Sequence, residues 1–304
     1  MNDRRQIRKD PLTGRWVVVT DWSEQDPTLR LDPSALEAGQ RVGVVAGASP
    51  IFDRRQRVDR GQDPNGLHQW MSAAGEHEVI YEDQDRGWAD LPLDQLTEIL
   101  IVYRERMRLL SDDNRFRQLV LVKRHGQRAG ARTTASHAEL FALTFVPDEL
   151  RQRLVAFSGH QRRGGTCVLC DELQALRADR SRFVDETLRH LVYCPWAPSR
   201  AFELVVAPKG HHGDFRITAD AELSDLGRAL QGSLQRLKIA LEDPAYRMVL
   251  YTAPIEAGAD QGHFHWHMVL QPELDWPSTL SPVVELCPIP PEVAAARLRE
   301  VSFE

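Results

Sequence analysis

The sequence lacks several features that would decide its class at once. No apolar run approaches the roughly 18–20 residues that a membrane-spanning helix needs. The first residues are charged and have no apolar core of the kind found in signal peptides. The net charge is −6, so the charge balance favours neither nucleic acid nor an anionic membrane as a partner. These absences predict a cytoplasmic protein that binds neither nucleic acid nor membranes.

Cysteine is also scarce, with four residues in a chain of 304. Cys167 and Cys170 form a C-x-x-C motif, while Cys194 and Cys287 stand apart. In a cytosolic chain of this size, that pattern indicates metal or redox chemistry rather than a disulfide framework. The motif lacks the β-α-β surroundings of a thioredoxin-like redox pair, so metal binding is the preferred interpretation.

What is present is a pattern of elements that occurs twice. The chain is 42% hydrophobic and 27% charged, which is typical of globular proteins. Each half contains two strand-like segments, an amphipathic helix, a strand, a loop and a strand that carries histidine. The helical repeats cover residues 93–110 and 223–241, the second with Thr218 as its expected cap. We expect an α+β fold of two half-domains, residues 1–150 and 151–304, each an antiparallel sheet with a packed helix, related by a pseudo-twofold axis.

The most conspicuous chemistry lies in residues 262–271, GHFHWHMVLQ. Since alternate side chains of a strand share a face, His263, His265 and His267 are expected to point the same way. The loop before this stretch is predicted over residues 257–262. In the first half, His137 is predicted to be exposed and to occupy the position of His265.

The C-x-x-C motif needs two further ligands to complete a tetrahedral zinc site. We predict a structural Zn²⁺ site, one per chain, formed by Cys167, Cys170, His211 and His263. Thiolate and neutral imidazole both suit zinc, and a closed site of four protein ligands is structural rather than catalytic. The spacing leaves two alternatives open, which are His212 for His211 and His265 for His263.

Several segments together resemble the galactose-1-phosphate uridylyltransferase family of the histidine-triad superfamily, which includes ADP-glucose phosphorylase-like enzymes. The segments follow the order of that family and cover nearly the whole chain; they are residues 10–17, 75–80, 123–131, 195–215, 263–270 and 290–298. The resemblance implies two histidine-triad half-domains, ping-pong nucleotidyl transfer and, in many relatives, a homodimer. It implies a nucleotide or nucleotide-sugar substrate, with a sugar phosphate or phosphate as the acceptor.

The resemblance also implies which residues carry the reaction. The family's nucleophile is the second His of a His-Pro-His-Gly-Gln motif, and His137 stands at that position, with Glu139 in place of the Gln. A neutral imidazole nitrogen attacks the α-phosphorus, and the nucleotidyl group then passes to the acceptor. The expected donors to the phosphoryl oxygens are the amides of Gly130 and Ala131, with Arg132.

The sequence departs from the family pattern in the first half. Ala135 and Ser136 replace the first His and the Pro of the motif, and Arg86 and Ala135 fall where a first-half zinc site has ligands. A nucleotide-contacting segment is reduced to residues 46–50, AGASP. We expect no zinc in this half, and we expect Glu139 to bring a negative charge toward a phosphate unless it is protonated or pairs with Arg132.

Three functions are therefore considered. The first is a nucleotidyltransferase or phosphorylase that acts through His137. The second is a diverged enzyme, either with His137 and Glu139 as an acid–base pair or with His265 as the nucleophile of a hydrolase. The third is a nucleotide-binding protein without catalytic activity.

Overall fold

A computed structural model describes residues 5–19, 41–48, 51–255, 262–276, 279–281 and 284–303. Almost all of a loop expected over residues 23–41 lies outside these ranges, as do residues 257–261 of the loop before the histidine-rich stretch and residues 49–50 of the AGASP segment. None of the helices in the described ranges is both long enough and apolar enough to cross a membrane.

The described chain contains fifteen strands and five α-helices, which do not alternate regularly along the sequence. The strands are β1 (Gln6–Lys9), β2 (Trp16–Val19), β3 (Gly43–Val45), β4 (Arg60–Gln62), β5 (Gln69–Ser72), β6 (Gly75–Asp83), β7 (Gln118–His125), β8 (Ser136–Leu143), β9 (Phe183–Glu186), β10 (His190–Tyr193), β11 (Leu204–Pro208), β12 (Tyr246–Tyr251), β13 (His267–Pro272), β14 (Thr279–Ser281) and β15 (Val284–Glu285). The helices are α1 (Leu93–Ser111), α2 (Asp148–Gly164), α3 (Val168–Ala178), α4 (Asp220–Leu241) and α5 (Pro291–Arg299).

A nine-stranded antiparallel sheet forms the centre of the fold. Its order is β3-β6-β8-β7-β12-β13-β11-β10-β9. The two halves meet where β7 pairs with β12, and Val122 lies opposite Val249 at this junction. The α+β class with antiparallel sheets is thus confirmed, and the halves share one sheet. The expected division at residue 150 falls inside α2, and the two half-domains remain a proposal.

The two predicted amphipathic helices cover one face of the sheet. α1 begins directly after Pro92, and its apolar stripe, which includes Leu96, Leu100 and Tyr103, is fully buried. α4 begins after Ala219 rather than after the expected cap Thr218. Both helices contribute to one large core with alternate residues of the strands. Burial of these stripes is the main contribution to the stability of each helix.

The other face of the sheet is covered differently in the two halves. In the second half, α2 and α3 pack on it and form a separate apolar core with β10, β11 and β13. In the first half, this face carries His137 and Glu139 on β8. A smaller sheet, in the order β2-β1-β5-β4, lies beside the first half.

Candidate functional site

The two cysteines of the C-x-x-C motif lie at the start of α3. Gly165 ends α2 in a left-handed conformation, with φ of 82°, which lets the chain turn into the motif. Cys167 is the N-cap residue of α3, and Cys170 lies in the first turn. Because residues three apart share a helix face, the two sulfur atoms point to the same place. Thiolates are also favoured at a helix N-terminus, where the backbone N–H groups point outward.

Two histidines from other elements complete this group. His211 follows β11 and His265 precedes β13, and the donor atoms of Cys167, Cys170, His211 and His265 all lie within 4.8 Å of one another. The Cys170 sulfur is 3.4 Å from His211 Nδ1 and 3.5 Å from His265 Nδ1. Zn–S and Zn–N bonds of about 2.3 and 2.0 Å in a tetrahedron place S and N about 3.5 Å apart, so this donor set fits a metal ion.

The fourth donor of this group is His265 rather than the expected His263. The strand begins only at His267, and His263 lies in a short 3₁₀-helical segment, so the alternation that predicts one shared face does not hold along the whole stretch. The alternative left open by the spacing, His265, is the ring that the fold brings to the cysteines. His211 is likewise the ring that joins the group, whereas His212 lies 3.0 Å from Glu222.

The protonation of these groups favours metal binding at the histidine and opposes it at the cysteine. Burial, together with the charges of His211, His267 and His212, lowers the pKa of His265 to about 3, so its ring is neutral and keeps a lone pair. Burial and the neighbouring Cys167 raise the pKa of the Cys170 thiol to about 12. A bound cation must therefore displace protons from sulfur. His211 Nε2 donates to the carbonyl oxygen of Gly262 at 2.9 Å, which orients its ring.

His137 lies near the start of β8 and is only 2% exposed, so the prediction that it is exposed is wrong. Its Nδ1 lies 2.9 Å from the carbonyl oxygen of Ala135. A carbonyl oxygen only accepts hydrogen bonds, so Nδ1 carries a proton, and in the neutral ring the lone pair is on Nε2. Tyr81 lies opposite His137 on β6, with the ring centroids 6.2 Å apart.

Strand register shows which histidine of the second half corresponds to His137. Val122 pairs with Glu139, and Val249 pairs with Val269. Aligning the halves on Val122 and Val249, which face each other at their junction, makes Glu139 equivalent to Val269 and His137 equivalent to His267, two residues beyond the expected His265. Both rings place Nδ1 2.9 Å from the carbonyl oxygen two residues earlier, which supports this alignment, so the expected match with His265 is wrong.

His267 has the same backbone contact but a closed environment. Its Nδ1 lies 2.9 Å from the carbonyl oxygen of His265, as in the first half. Arg153 and Phe157 of α2 cover the ring, and Tyr251 stacks on it. Burial and the charge of Arg153 lower the pKa of His267 to about 4. Residues of α2 thus pack directly on the His267 ring, which is 4% exposed.

Glu139 is held by two basic side chains beside His137. His77 Nε2 lies 3.1 Å from one carboxylate oxygen, and the guanidinium of Arg124 donates to the other. Burial raises the pKa of Glu139, but the hydrogen bond with His77 and the charges of Arg124, His77 and His137 outweigh it and hold the pKa below its ordinary value. Glu139 is thus ionised, and its partner is Arg124 rather than the expected Arg132.

The loop between β7 and β8 places the three expected phosphate-binding residues near the start of β8. The N–H of Gly130 donates to Gln127 at 2.9 Å, and the N–H of Ala131 donates to Gly126 at 3.2 Å. Both amides are therefore used inside the loop. Arg132 is exposed, so its guanidinium is the accessible donor of the three.

Two residues of this site, His77 and Arg124, were not singled out from the sequence. Both lie in segments that carry the family resemblance, 75–80 and 123–131. The signal that could have found them is strand alternation. Lys123 pairs with Ala138, so Arg124, one residue further, comes level with His137 and shares its face.

A cleft of about 590 Å³ lies elsewhere, between the smaller sheet and the end of β8. One of its lining residues is Thr144, seven residues beyond His137. At about 3.3 Å per residue that separation is about 23 Å, so the cleft is not part of the His137 site.

Comparison with known proteins places these features in context. No family model matches the chain. The ADP-glucose phosphorylase of Arabidopsis thaliana is 26% identical to it over 99% of this chain and 94% of that protein. The galactose-1-phosphate uridylyltransferase of Thermotoga maritima is 22% identical over 98% of this chain and 99% of that protein.

Solved structures show the same fold. The crystal structure of an ADP-glucose phosphorylase from Arabidopsis thaliana with bound ADP-glucose has a TM-score of 0.77 at 23% identity, and covers 98% of this chain and 99% of its own. A uridylyltransferase structure has a TM-score of 0.82 at 21% identity, and covers 97% of both chains. The resemblance is thus confirmed: over nearly its whole length the chain is similar in sequence to ADP-glucose phosphorylase and galactose-1-phosphate uridylyltransferase, and it has their fold.

Proposed function

We propose that the protein is a nucleotidyltransferase that acts on a nucleotide sugar through a covalent intermediate on His137. The observation that carries the proposal is the contact of His137 Nδ1 with the carbonyl oxygen of Ala135, which leaves the lone pair on Nε2. Whole-length similarity to proteins named for phosphorylase and uridylyltransferase activity supports the reaction class.

The reaction takes two displacements at one phosphorus. Nε2 of His137 forms a bond to the α-phosphorus, and the bond from that phosphorus to the bridging oxygen breaks, so that the sugar phosphate leaves. A phosphate oxygen of inorganic phosphate or of a sugar phosphate then attacks the same phosphorus. The phosphorus–nitrogen bond breaks, and neutral His137 returns. One difficult step thus becomes two easier ones.

Arg124 and Arg132 are the groups that we assign to the phosphoryl oxygens. Arg124 comes level with His137 on the same face of the sheet, and Glu139 holds its guanidinium. A fixed cation stabilises the charge that develops on the phosphoryl oxygens. Glu139 itself is ionised and paired, so it has no proton to donate, and this argues against Glu139 as a general acid beside His137.

Intact mass spectrometry of the protein tests this proposal. Wild-type protein incubated without acceptor, with ADP-glucose or with a UDP-sugar, is expected to gain the mass of one nucleotidyl group. His137→Ala is expected to gain none, whereas the matched variant His267→Ala still reacts because its ring is enclosed by α2. An adduct on His137→Ala overturns the choice of residue. No adduct on wild-type protein with any nucleotide sugar overturns the reaction class.

We also propose that Cys167, Cys170, His211 and His265 hold Zn²⁺. Two thiolates and two neutral imidazoles are the ligands of closed structural zinc sites. When bound, the ion would tie the start of α3 to the loops next to β11 and β13, and all four ligand positions would be taken by the protein. We further propose a homodimer, which light scattering coupled to size-exclusion chromatography tests.

A further inference from the structure

A buried polar cluster lies under β8, on the sheet face opposite His137. Its centre is the carboxylate of Glu82, and we call the group of Glu82, Trp88, Tyr103, Lys123 and Ser136 the Glu82 cluster. Trp88 Nε1 donates to the carboxylate at 2.7 Å, and Ser136 Oγ also donates at 2.7 Å. Tyr103 and Lys123 complete the donors. Four donors thus converge on one carboxylate that has no exposed surface.

Such a cluster is costly to the fold. Removing two charges from water costs several kcal/mol per ion, and apolar side chains of similar size are often at least as stabilising. Burial lowers the pKa of Lys123, whereas the charge of Glu82 and its hydrogen bond with Lys123 raise that pKa. The net shift is downward, so desolvation of the ammonium group outweighs the attraction. Stability alone therefore does not account for these residues.

The second half of the same chain shows that the fold does not need the buried pair. Lys123 pairs with Ala138, and the corresponding pair in the second half is Leu250 with Met268. By the same register, Trp266 takes the place of Ser136. The equivalent backbone thus carries Leu250 where the first half buries an ammonium group, and both side chains are fully buried.

The Glu82 cluster is attached to the main chain that carries His137. Lys123 Nζ donates to Ser136 Oγ at 2.8 Å and lies 3.5 Å from the carbonyl oxygen of His137. A register shift in β6 between Tyr81 and Asp83 lets Tyr81 pair with His137 and Asp83 with Ser136, which leaves Glu82 between them. The cluster therefore holds the side chain of Ser136, next to His137, and contacts the peptide group that follows His137.

We propose that Ser136 is a positioning residue for His137, acting with Lys123 and Glu82. The cluster fixes the main chain of residues 135–137, and so keeps Ala135 as the acceptor for Nδ1 and Nε2 as the free nitrogen. The effect on the ring stands on the geometry alone, whereas its consequence for reaction rate rests on the proposed function.

The first test follows the ring itself and needs no activity. Protein with ¹⁵N-labelled histidine is compared by long-range ¹H–¹⁵N NMR as wild type, Ser136→Ala and Ser233→Ala. Ser233 is a buried hydroxyl in α4 that donates to Ala229 at 2.6 Å, and within the described part of the chain it makes no hydrogen bond with the Glu82 cluster. The His137 signal, identified by its loss in His137→Ala, is expected to show protonated Nδ1 in wild type and in Ser233→Ala. In Ser136→Ala it is expected to broaden or to show both tautomers, and an unchanged signal overturns the proposal.

The second test measures the rate of nucleotidyl transfer to His137 in a single turnover. Ser136→Ala is expected to slow adduct formation about 10- to 100-fold with little change in the nucleotide dissociation constant, because small misplacement of a reacting group costs rate rather than affinity. Ser136→Thr restores a hydroxyl and is expected to recover much of the rate. An equal loss in Ser136→Thr and Ser136→Ala, or in Ser233→Ala, overturns a positioning role. An altered ring signal without any wild-type adduct overturns the proposed function and leaves the positioning of the ring intact.

Discussion

At the scale of single residues, the ionisation of Glu139 links the proposed site to stability. The pKa of Glu139 lies below its ordinary 4.5, because the hydrogen bond with His77 and nearby positive charges outweigh the effect of burial. A carboxylate with a lower pKa in the folded state contributes stability above its unfolded pKa. That contribution is lost as the pH falls through the folded pKa.

Glu139→Gln tests this linkage. Near neutral pH the variant is expected to unfold about 1–3 kcal/mol more easily than wild type, because Arg124 and His77 lose their charged partner. The difference is expected to shrink as the pH falls below about 4.5. Urea unfolding at a series of pH values measures it, with Glu300→Gln, at the exposed end of α5, as the control. A difference that stays constant over that range contradicts the assignment.

At the scale of elements, the donor group of the two C-x-x-C cysteines, His211 and His265 is drawn from three separate parts of the fold. The two cysteines belong to the start of α3, whereas His211 follows β11 and His265 precedes β13. The leucines of α3 also pack on the face of the central sheet that α2 covers. A metal ion bound by this donor group would therefore add a link between α3 and the central sheet to the apolar contacts of the helix.

Removal of one histidine distinguishes the two possible ligand sets. His265→Ala is expected to lose the bound ion, and His263→Ala to keep one ion per chain, because only the first ring reaches the cysteines. Elemental analysis of purified protein measures this, with Cys194→Ala as a cysteine control outside the group. A chelator is expected to lower the melting temperature of wild type but not of His265→Ala. Two ions per chain, or full metal content in His265→Ala, contradicts the assignment.

At the scale of the whole molecule, the two halves are joined by the central sheet and by contact between α1 and α4. Gly227 lies at this helix contact, and a Cβ atom there would approach Leu93 Cδ1 to 3.3 Å and Leu100 Cδ1 to 3.7 Å. The small residue therefore allows the two helices to come close together. The contact couples the first half to the second.

Gly227→Leu is expected to lower the free energy of unfolding by about 1–3 kcal/mol, because overpacking forces the two helices apart. Gly159→Leu is the matched control, since a Cβ atom at this helical glycine would meet only the flexible ends of Arg162 and Arg163. Chemical denaturation followed by circular dichroism measures both. Equal stability of Gly227→Leu and wild type would show that the contact between α1 and α4 can shift without cost.

Local patterns were enough to predict many of the elements. The apolar repeats predict α1 and α4, and short β-branched runs predict most strands of the central sheet, because both signals depend on neighbours within one segment. The C-x-x-C motif predicts two of the four donors for the same reason. No helix was predicted at α2 and α3, although Leu169, Leu173 and Leu176 recur at helical spacing in α3.

The sequence by itself determined the fold class, the position of His137 as the candidate nucleophile and the motif that begins the metal site. Only the tertiary structure decided that His265 joins the cysteines, that His137 corresponds to His267, and that Arg124 and His77 hold Glu139. These contacts join residues up to 98 positions apart, such as Cys167 and His265. They depend on strand register and on how helices pack on the sheet, and a shift of one residue in register moves every side chain to the other face.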